Sequence, residues 1–206
     1  SFARASVYCA TYRGDTDFAL AQRLYNYVSS LWFMFSTPIL SNWGTSRGLP
    51  ISCFLNYVPD SRSGLSAHYD ENIWLASGGG GIGGYWGSVR SNGVDTANGS
   101  KSTGSIPFMH VVDSQMLAFN QGVTRRGSYA AYMDISHPEI EEFIAMRKTT
   151  GGDLNRKCLN RHNGVNITDA FLERVKEDGE WRLIDPKTNT AVKIVSARDL
   201  WWTLIT

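Results

Sequence analysis

The chain has 206 residues, 42% of them hydrophobic, which is enough for one sizeable core without demanding two. Twenty Lys and Arg against nineteen Asp and Glu leave a formal charge of +1, so no global field draws the protein to nucleic acid or to an anionic membrane. No stretch approaches the roughly 20 apolar residues of a membrane span, and no basic flank followed by an apolar run opens the chain, so a cytoplasmic protein is expected.

From Asp15 to Phe35 the apolar residues Phe18, Leu20, Leu24, Tyr27, Val28, Leu31, Trp32 and Phe35 recur near helical spacing, which predicts a buried helix capped by Asp15 or Thr16 and limited by Pro38. Ile51 to Val58 alternates as a strand does, placing Cys53 near its beginning. A helix is expected over Ser63 to Ala76, running into the glycine tract Gly78 to Gly84. Arg90 to Thr103, rich in Ser, Gly and Asn, reads as a long surface loop. Ser105 and Pro107 then open a helix that ends near Asn120-Gln121-Gly122. Tyr129 to Met133 resembles a buried strand, Pro138 to Met146 a short helix and Gly164 to Ile167 a strand. Thr168 caps a helix over Asp169 to Lys176. Trp181 to Ile184 and Ala191 to Val195 form a hairpin around Asp185-Pro186-Lys187-Thr188-Asn189. Helices alternating with short strands favour an α/β fold. The chain opens on Ser1-Phe2-Ala3-Arg4 without a Met and closes inside a helical run begun at Ser196, which predicts a fragment or one piece of a split protein.

Cys9, Cys53 and Cys158 stand far apart with no C-x-x-C, and His68, His110, His137 and His162 are equally scattered, so neither a disulfide scaffold nor a metal site is expected. His137-Pro138-Glu139 reads as a helix start with its acids in the first turn. The sequons at Asn98 and Asn166 carry no weight in a cytoplasmic chain. Gly78 to Gly84 satisfies G-x-G-x-x-G twice, and bare backbone of this kind suits close approach to phosphate. It follows a helical segment instead of a strand and precedes Tyr85-Trp86-Gly87, against a Rossmann site, and no Gly-Lys-Ser/Thr makes it a P-loop. A turned or flexible loop is the alternative. A lone cysteine in a strand is, likewise, more often inert than reactive.

Several separated segments change that balance. Thr37-Pro38, Ser52-Cys53, Asp60-Ser61, Gly80-Gly81-Ile82-Gly83, Arg90, Gln121-Gly122 with Arg125-Arg126-Gly127-Ser128, Asp134-Ile135-Ser136-His137-Pro138-Glu139-Ile140-Glu141 and Asn155-Arg156-Lys157-Cys158-Leu159-Asn160 occur in order over nearly the whole chain. In order and spacing they resemble the large, catalytic subunit of class I ribonucleoside-diphosphate reductases, in the N-terminal part of its core. The resemblance implies helices over 1–36 and part of a ten-stranded α/β barrel over 37–206, incomplete in this chain.

It further implies reduction of ribonucleotides to deoxyribonucleotides by thiyl-radical chemistry. Cys53 matches the reducing cysteine that helps remove the ribose 2′ hydroxyl, a task suited to sulfur because a thiol can give a proton and then an electron pair by forming a disulfide. Thr37, Ser52, Gly80 and Gly81 match substrate-binding positions. Asp60, Arg90, Asn120, Gln121 and Arg125 match the allosteric effector site and the loop coupling it to the active site. The implied ligands are a nucleotide substrate and dNTP or ATP effectors, with no cofactor held by this chain. The radical would come from a metal-containing small subunit, with adenosylcobalamin as the alternative. Thioredoxin or glutaredoxin, the C-terminal remainder of the large subunit and a second copy in a homodimer complete the implied partners, with no nucleic acid and no membrane. The Asn-x-Cys-x-Glu segment of the family, with its radical cysteine, does not occur in these residues, and Trp43 stands where relatives carry a small residue. A dNTP-binding regulatory module without catalysis is the second reading, and a Rossmann-type dehydrogenase the third.

Overall fold

The computed structural model describes residues 1–119 and 127–206. They divide into two units, Ser1–Cys53 and Phe54–Thr206.

In the first unit, helix α1 (Phe2–Cys9) is followed by a small antiparallel pair, β1 (Thr11–Tyr12) and β2 (Asp15–Thr16). Their turn uses Arg13 and Gly14, both at positive φ, as a tight hairpin requires. Helix α2 (Phe18–Ser29) is capped by Asp17, whose carboxylate accepts from Leu20 N at 2.9 Å, and not by Asp15 or Thr16, which are spent in β2. The expected buried helix through Phe35 is shorter and more exposed than its periodicity suggested. Leu31 takes φ 60° just after the helix and stops it, while Pro38 opens the next helix, α3 (Thr37–Asn42), instead of closing this one. Only Ala21 and Val28 of α2 are buried, and only Ala5 and Ser6 of α1; Phe18 is 73% exposed and Trp32 78%.

The second unit is built on a four-stranded sheet in the order β3 (Cys53–Tyr57), β4 (Gly81–Tyr85), β5 (Ser128–Asp134), β6 (His162–Asn166). The last three strands are parallel, in register from Gly81 opposite Ser128 and from Ala130 opposite His162. Helix α4 (Arg62–Ser77) connects β3 to β4, and α5 (Ile106–Ala118) lies in the crossover between the parallel strands β4 and β5. Helix α6 (Ile140–Ala145) and a single 3₁₀ turn over Leu154–Arg156 follow β5. Beyond the sheet, α7 (Asp169–Lys176) starts at Thr168, whose hydroxyl caps Phe171 N. A separate hairpin, β7 (Glu180–Ile184) and β8 (Ala191–Ser196), leads into α8 (Ala197–Ile205). This is an α/β arrangement with the parallel wall of a barrel that the described residues do not close.

One face of the sheet is covered and the other is open. Ile82, Tyr129, Ala131 and Met133 point into a core with Trp86, Ile106, Met109, Phe143 and Phe171. On the opposite face Leu55 is 85% exposed and Tyr57 56%, a period-2 alternation that puts Cys53 on the open side of its strand. The glycine tract is not a loop throughout. Gly78 to Gly80 finish α4, their N–H groups donating to Trp74, Ala76 and Leu75 carbonyls, and Gly81 to Gly84 are strand. Neighbours fill the space that side chains would need: a Cβ at Gly84 would lie 1.7 Å from Tyr129 Oη, and one at Gly80 2.6 Å from the Phe54 ring.

Candidate functional site

Asp60 and Arg90 come together although 30 positions separate them. Arg90 Nε donates to both Asp60 carboxylate oxygens, at 2.9 and 2.8 Å, Arg90 N to Oδ1 at 3.3 Å, and Arg90 Nη2 to the Asp60 carbonyl at 3.3 Å. The Asp60 carboxylate is free for this because Ser61, and not Asp60, caps α4, its hydroxyl accepting from Gly64 N at 3.0 Å. Charge-assisted, forked bonds of this kind fix geometry as well as charge.

The pair lies in the wall of an open cleft of about 520 Å³. Asp60, Ser61 and Arg62 form one side, Thr96 to Thr103 of the 90–103 loop another, and Leu65, Val89 and Phe108 an apolar patch. That loop folds back on itself through an Asp95–Lys101 bridge, with Lys101 Nζ 2.6 Å from Asp95 Oδ1. Arg62 and Lys187 also line the cleft, and neither has a carboxylate partner among the described residues. A basic rim beside an apolar patch suits a ligand with one anionic end and one flat apolar end. The sequence reading found Asp60 and Arg90 but missed Arg62, Lys101 and Lys187. Arg62 could have been flagged by its place in the first turn after Ser61; Lys187 has no sequence signal, since it arrives from the β7–β8 turn.

Cys53 is a free, exposed thiol at the first position of β3, and the Ser52 hydroxyl stands 3.5 Å from its sulfur. Thr37 is exposed at the first position of α3. Gly80 is buried, and its N–H is donated to Leu75 O at 3.0 Å; Gly81 opens β4 and is half-buried. What Gly80 offers a ligand is therefore bare backbone at close range, with its donor already used. Asn120, Gln121 and Arg125 lie outside the described residues. The other cysteines differ from Cys53: Cys158 is buried, and burial pushes its thiol up, as it does for Cys9.

The open face carries a second polar group that sequence reading did not isolate. Tyr85 donates its hydroxyl to Asp134 Oδ2, Asn166 Nδ2 donates to Asp134 Oδ1 at 2.9 Å, and the Tyr57 ring stacks on Tyr85 at 6.1 Å. Burial and the Asp134 carboxylate both push the Tyr85 phenol up, so it stays protonated at neutral pH. Behind the sheet, His68 is buried with Tyr129 Oη and Asn72 Nδ2 at 3.1 and 3.0 Å from Nε2, and Trp86 Nε1 donates to Tyr129 at 2.9 Å. His68 and His137 are both core residues; among the described residues no cluster of three or more His, Cys, Asp or Glu is placed to hold a metal. No helix of the described residues is long and apolar enough to cross a membrane.

Comparison with known proteins gives this geometry a family. The family model described as the ribonucleotide reductase barrel domain matches residues 51–202, and the all-alpha domain of the same enzyme matches residues 1–48. A protein of Frog virus 3, provisionally named a ribonucleoside-diphosphate reductase large subunit, is 52% identical over 182 residues, 88% of this chain and 31% of its own length. The large subunit of Invertebrate iridescent virus 6 is 42% identical over 90% of this chain and 19% of its own length. The alpha subunit of Helicobacter pylori is 36% identical over 81% and 21% respectively. The chain thus spans from about a fifth to a third of the curated relatives it matches. With one family's two domain models covering nearly all of its length, the chain belongs to the ribonucleotide reductase large-subunit family.

Proposed function

We propose that the chain is part of the catalytic subunit of a ribonucleoside-diphosphate reductase, supplying one redox thiol and one effector site for making deoxyribonucleotides. The observation that carries this reading is Cys53, an exposed free thiol at the head of a strand inside the barrel-domain match, with the Ser52 hydroxyl beside it.

In this reading Thr37, Ser52, Gly80 and Gly81 hold the ribose and diphosphate of the substrate, and Cys53 is one of two reducing thiols. The balance is simple: the ribose 2′ hydroxyl leaves as water and a hydrogen takes its place on C2′, the two hydrogens and two electrons coming from two thiols that become one disulfide. Cys158 suits neither thiol role, being buried with its pKa raised. The second thiol and the radical cysteine then belong to the C-terminal remainder of the large subunit, the radical to a metal-containing small subunit or, alternatively, to adenosylcobalamin, and re-reduction to thioredoxin or glutaredoxin. Asp60 and Arg90 take a dNTP or ATP effector, its base against Leu65 and Phe108, while Asn120, Gln121 and Arg125 relay it to the active site. Functionally the chain divides at 36/37, all assigned residues lying in 37–206. A homodimer in the cytoplasm completes the proposal.

The test assembles residues 1–206 with the C-terminal remainder of the large subunit and a radical-generating subunit and follows deoxyribonucleotide formation. Cys53→Ser should abolish turnover; an unchanged rate in the variant would sink the proposal. The second reading, a dNTP-binding module, is favoured by one fact: the cleft is lined by described residues of one unit alone. In that case dNTP binding survives and Cys53 is dispensable.

A further inference from the structure

The turn between β7 and β8 reaches the Asp60–Arg90 cleft from far along the chain: Asp185 bonds Ser91, 94 positions earlier. Asp185 is fully buried and Ser91 nearly so. A buried carboxylate is costly unless its lone pairs are filled, and here five donors fill them. Oδ2 accepts from Ser91 N at 2.8 Å and Ser91 Oγ at 2.7 Å. Oδ1 accepts from Lys187 N at 3.0 Å, Thr188 N at 2.9 Å and Thr188 Oγ1 at 3.2 Å. Although burial alone would raise its pKa, the bonds from Ser91, Thr188 and Lys187 hold Asp185 below the usual carboxylate range.

The two oxygens serve different segments. Closing the turn needs only Oδ1; the two bonds from Ser91 to Oδ2 tie that turn to the residue directly after Arg90. One group thereby fixes both Arg90 and Lys187 relative to the cleft. The charges around the cleft then sort themselves. Asp60 neutralises Arg90 at 2.8 Å and Asp95 neutralises Lys101 at 2.6 Å. Arg62 and Lys187 line the cleft without a carboxylate partner among the described residues, and Lys187 is exposed.

We propose that Lys187 binds the phosphate end of the cleft's ligand, and that Asp185 with Ser91 is the buried clamp that positions Lys187 and Arg90 for it. This rests on reading the cleft as a nucleotide site. The bland alternative is a solvated lysine on a hairpin turn, with Asp185 only closing that turn.

The experiment measures binding of dTTP and of inorganic tripolyphosphate by the full chain, with folding checked by circular dichroism. Lys187→Ala should weaken both probes about tenfold and Lys187→Arg should restore them, because the contact is to phosphate. Ser91→Ala, which leaves the turn intact, should weaken both about fivefold with the melting curve little changed; Asp185→Asn should act in the same direction, and Ser91→Ala decides if that variant unfolds. Wild-type affinity in both Lys187→Ala and Ser91→Ala, with binding lost in Arg90→Ala, overturns the clamp and leaves the nucleotide site standing. Failure of the wild-type chain to bind either probe overturns the nucleotide site and the clamp with it.

Discussion

The two units bury different things. Phe54–Thr206 closes its core with Trp86, Tyr129, Phe143 and Phe171, all at 1% exposure or less, whereas the apolar residues Ser1–Cys53 buries are small: Ala5, Ala10, Ala21 and Val28, with Pro38. Its large apolar residues Phe18, Leu31 and Trp32 are in solvent. Burial of large side chains is what lets a scaffold hold charged groups in fixed places. The Asp60–Arg90 cleft stands wholly on the well-packed unit, so it can be studied in this chain by itself. Thr37 and Ser52 belong to the sparsely packed one and Cys53 is its last residue, where β3 begins, so their chemistry has to be tested with the rest of the large subunit present.

Truncation should expose the contrast most sharply. Phe143→Ala, in the core, is expected to cost about 3–5 kcal/mol, while Trp32→Ala should stay within about 0.5 kcal/mol, both read from urea unfolding. Comparable losses at the two sites would erase the distinction between the units.

Acid titration sharpens it next. Burial lowers His68 from 6.5 to about 4, so between those values the unfolded chain binds a proton that the folded one refuses. Stability contributed by neutral His68 is present above pH 6.5 and is lost as the pH falls toward 4, up to about 3 kcal/mol. Unfolding free energies measured across that window should show the slope in the native chain and a flatter one in His68→Gln. An equal slope in both would mean that His68 is solvated and the core behind the sheet is looser than described.

A smaller effect is expected at the glycine strand. Gly84→Ala places a methyl 1.7 Å from Tyr129 Oη, deep in the core, while at Gly83 the nearest atom is the flexible end of Leu55 at 2.7 Å. Gly84→Ala should cost about 1–3 kcal/mol and Gly83→Ala less. The reverse order would mean that the open face, and not the core, sets the need for glycine.

That strand also marks where sequence reading ran out. Some caps and turns were legible because they are local: Thr168 caps α7, Ile106–Ala118 is helical, and the β7–β8 hairpin turns at Asp185 to Asn189, whereas the cap of α2 is Asp17 and not Asp15 or Thr16. Gly81 to Gly84 looked like a loop because no side chain signalled a strand; pairing with β5 and the bulk of Tyr129, Leu55 and Tyr132 decide it, and those are tertiary facts. The 15–35 periodicity failed for the opposite reason. An apolar pattern says which faces match, and in the described residues only Ala21 and Val28 of α2 found cover. For the site, Asp60 and Arg90 were legible through family resemblance, and their mutual bond was not. Lys187 was invisible, since its place depends on a carboxylate bonded across 94 positions.

The central claim is that Cys53 is a reducing thiol whose partner lies outside residues 1–206. The most direct measurement is peptide mapping by mass spectrometry after a single turnover, with the rest of the large subunit and the small subunit present and no external reductant. The account predicts Cys53 recovered in a disulfide with a cysteine outside residues 1–206, in step with deoxyribonucleotide formed. Product formed while Cys53 remains a free thiol would contradict it.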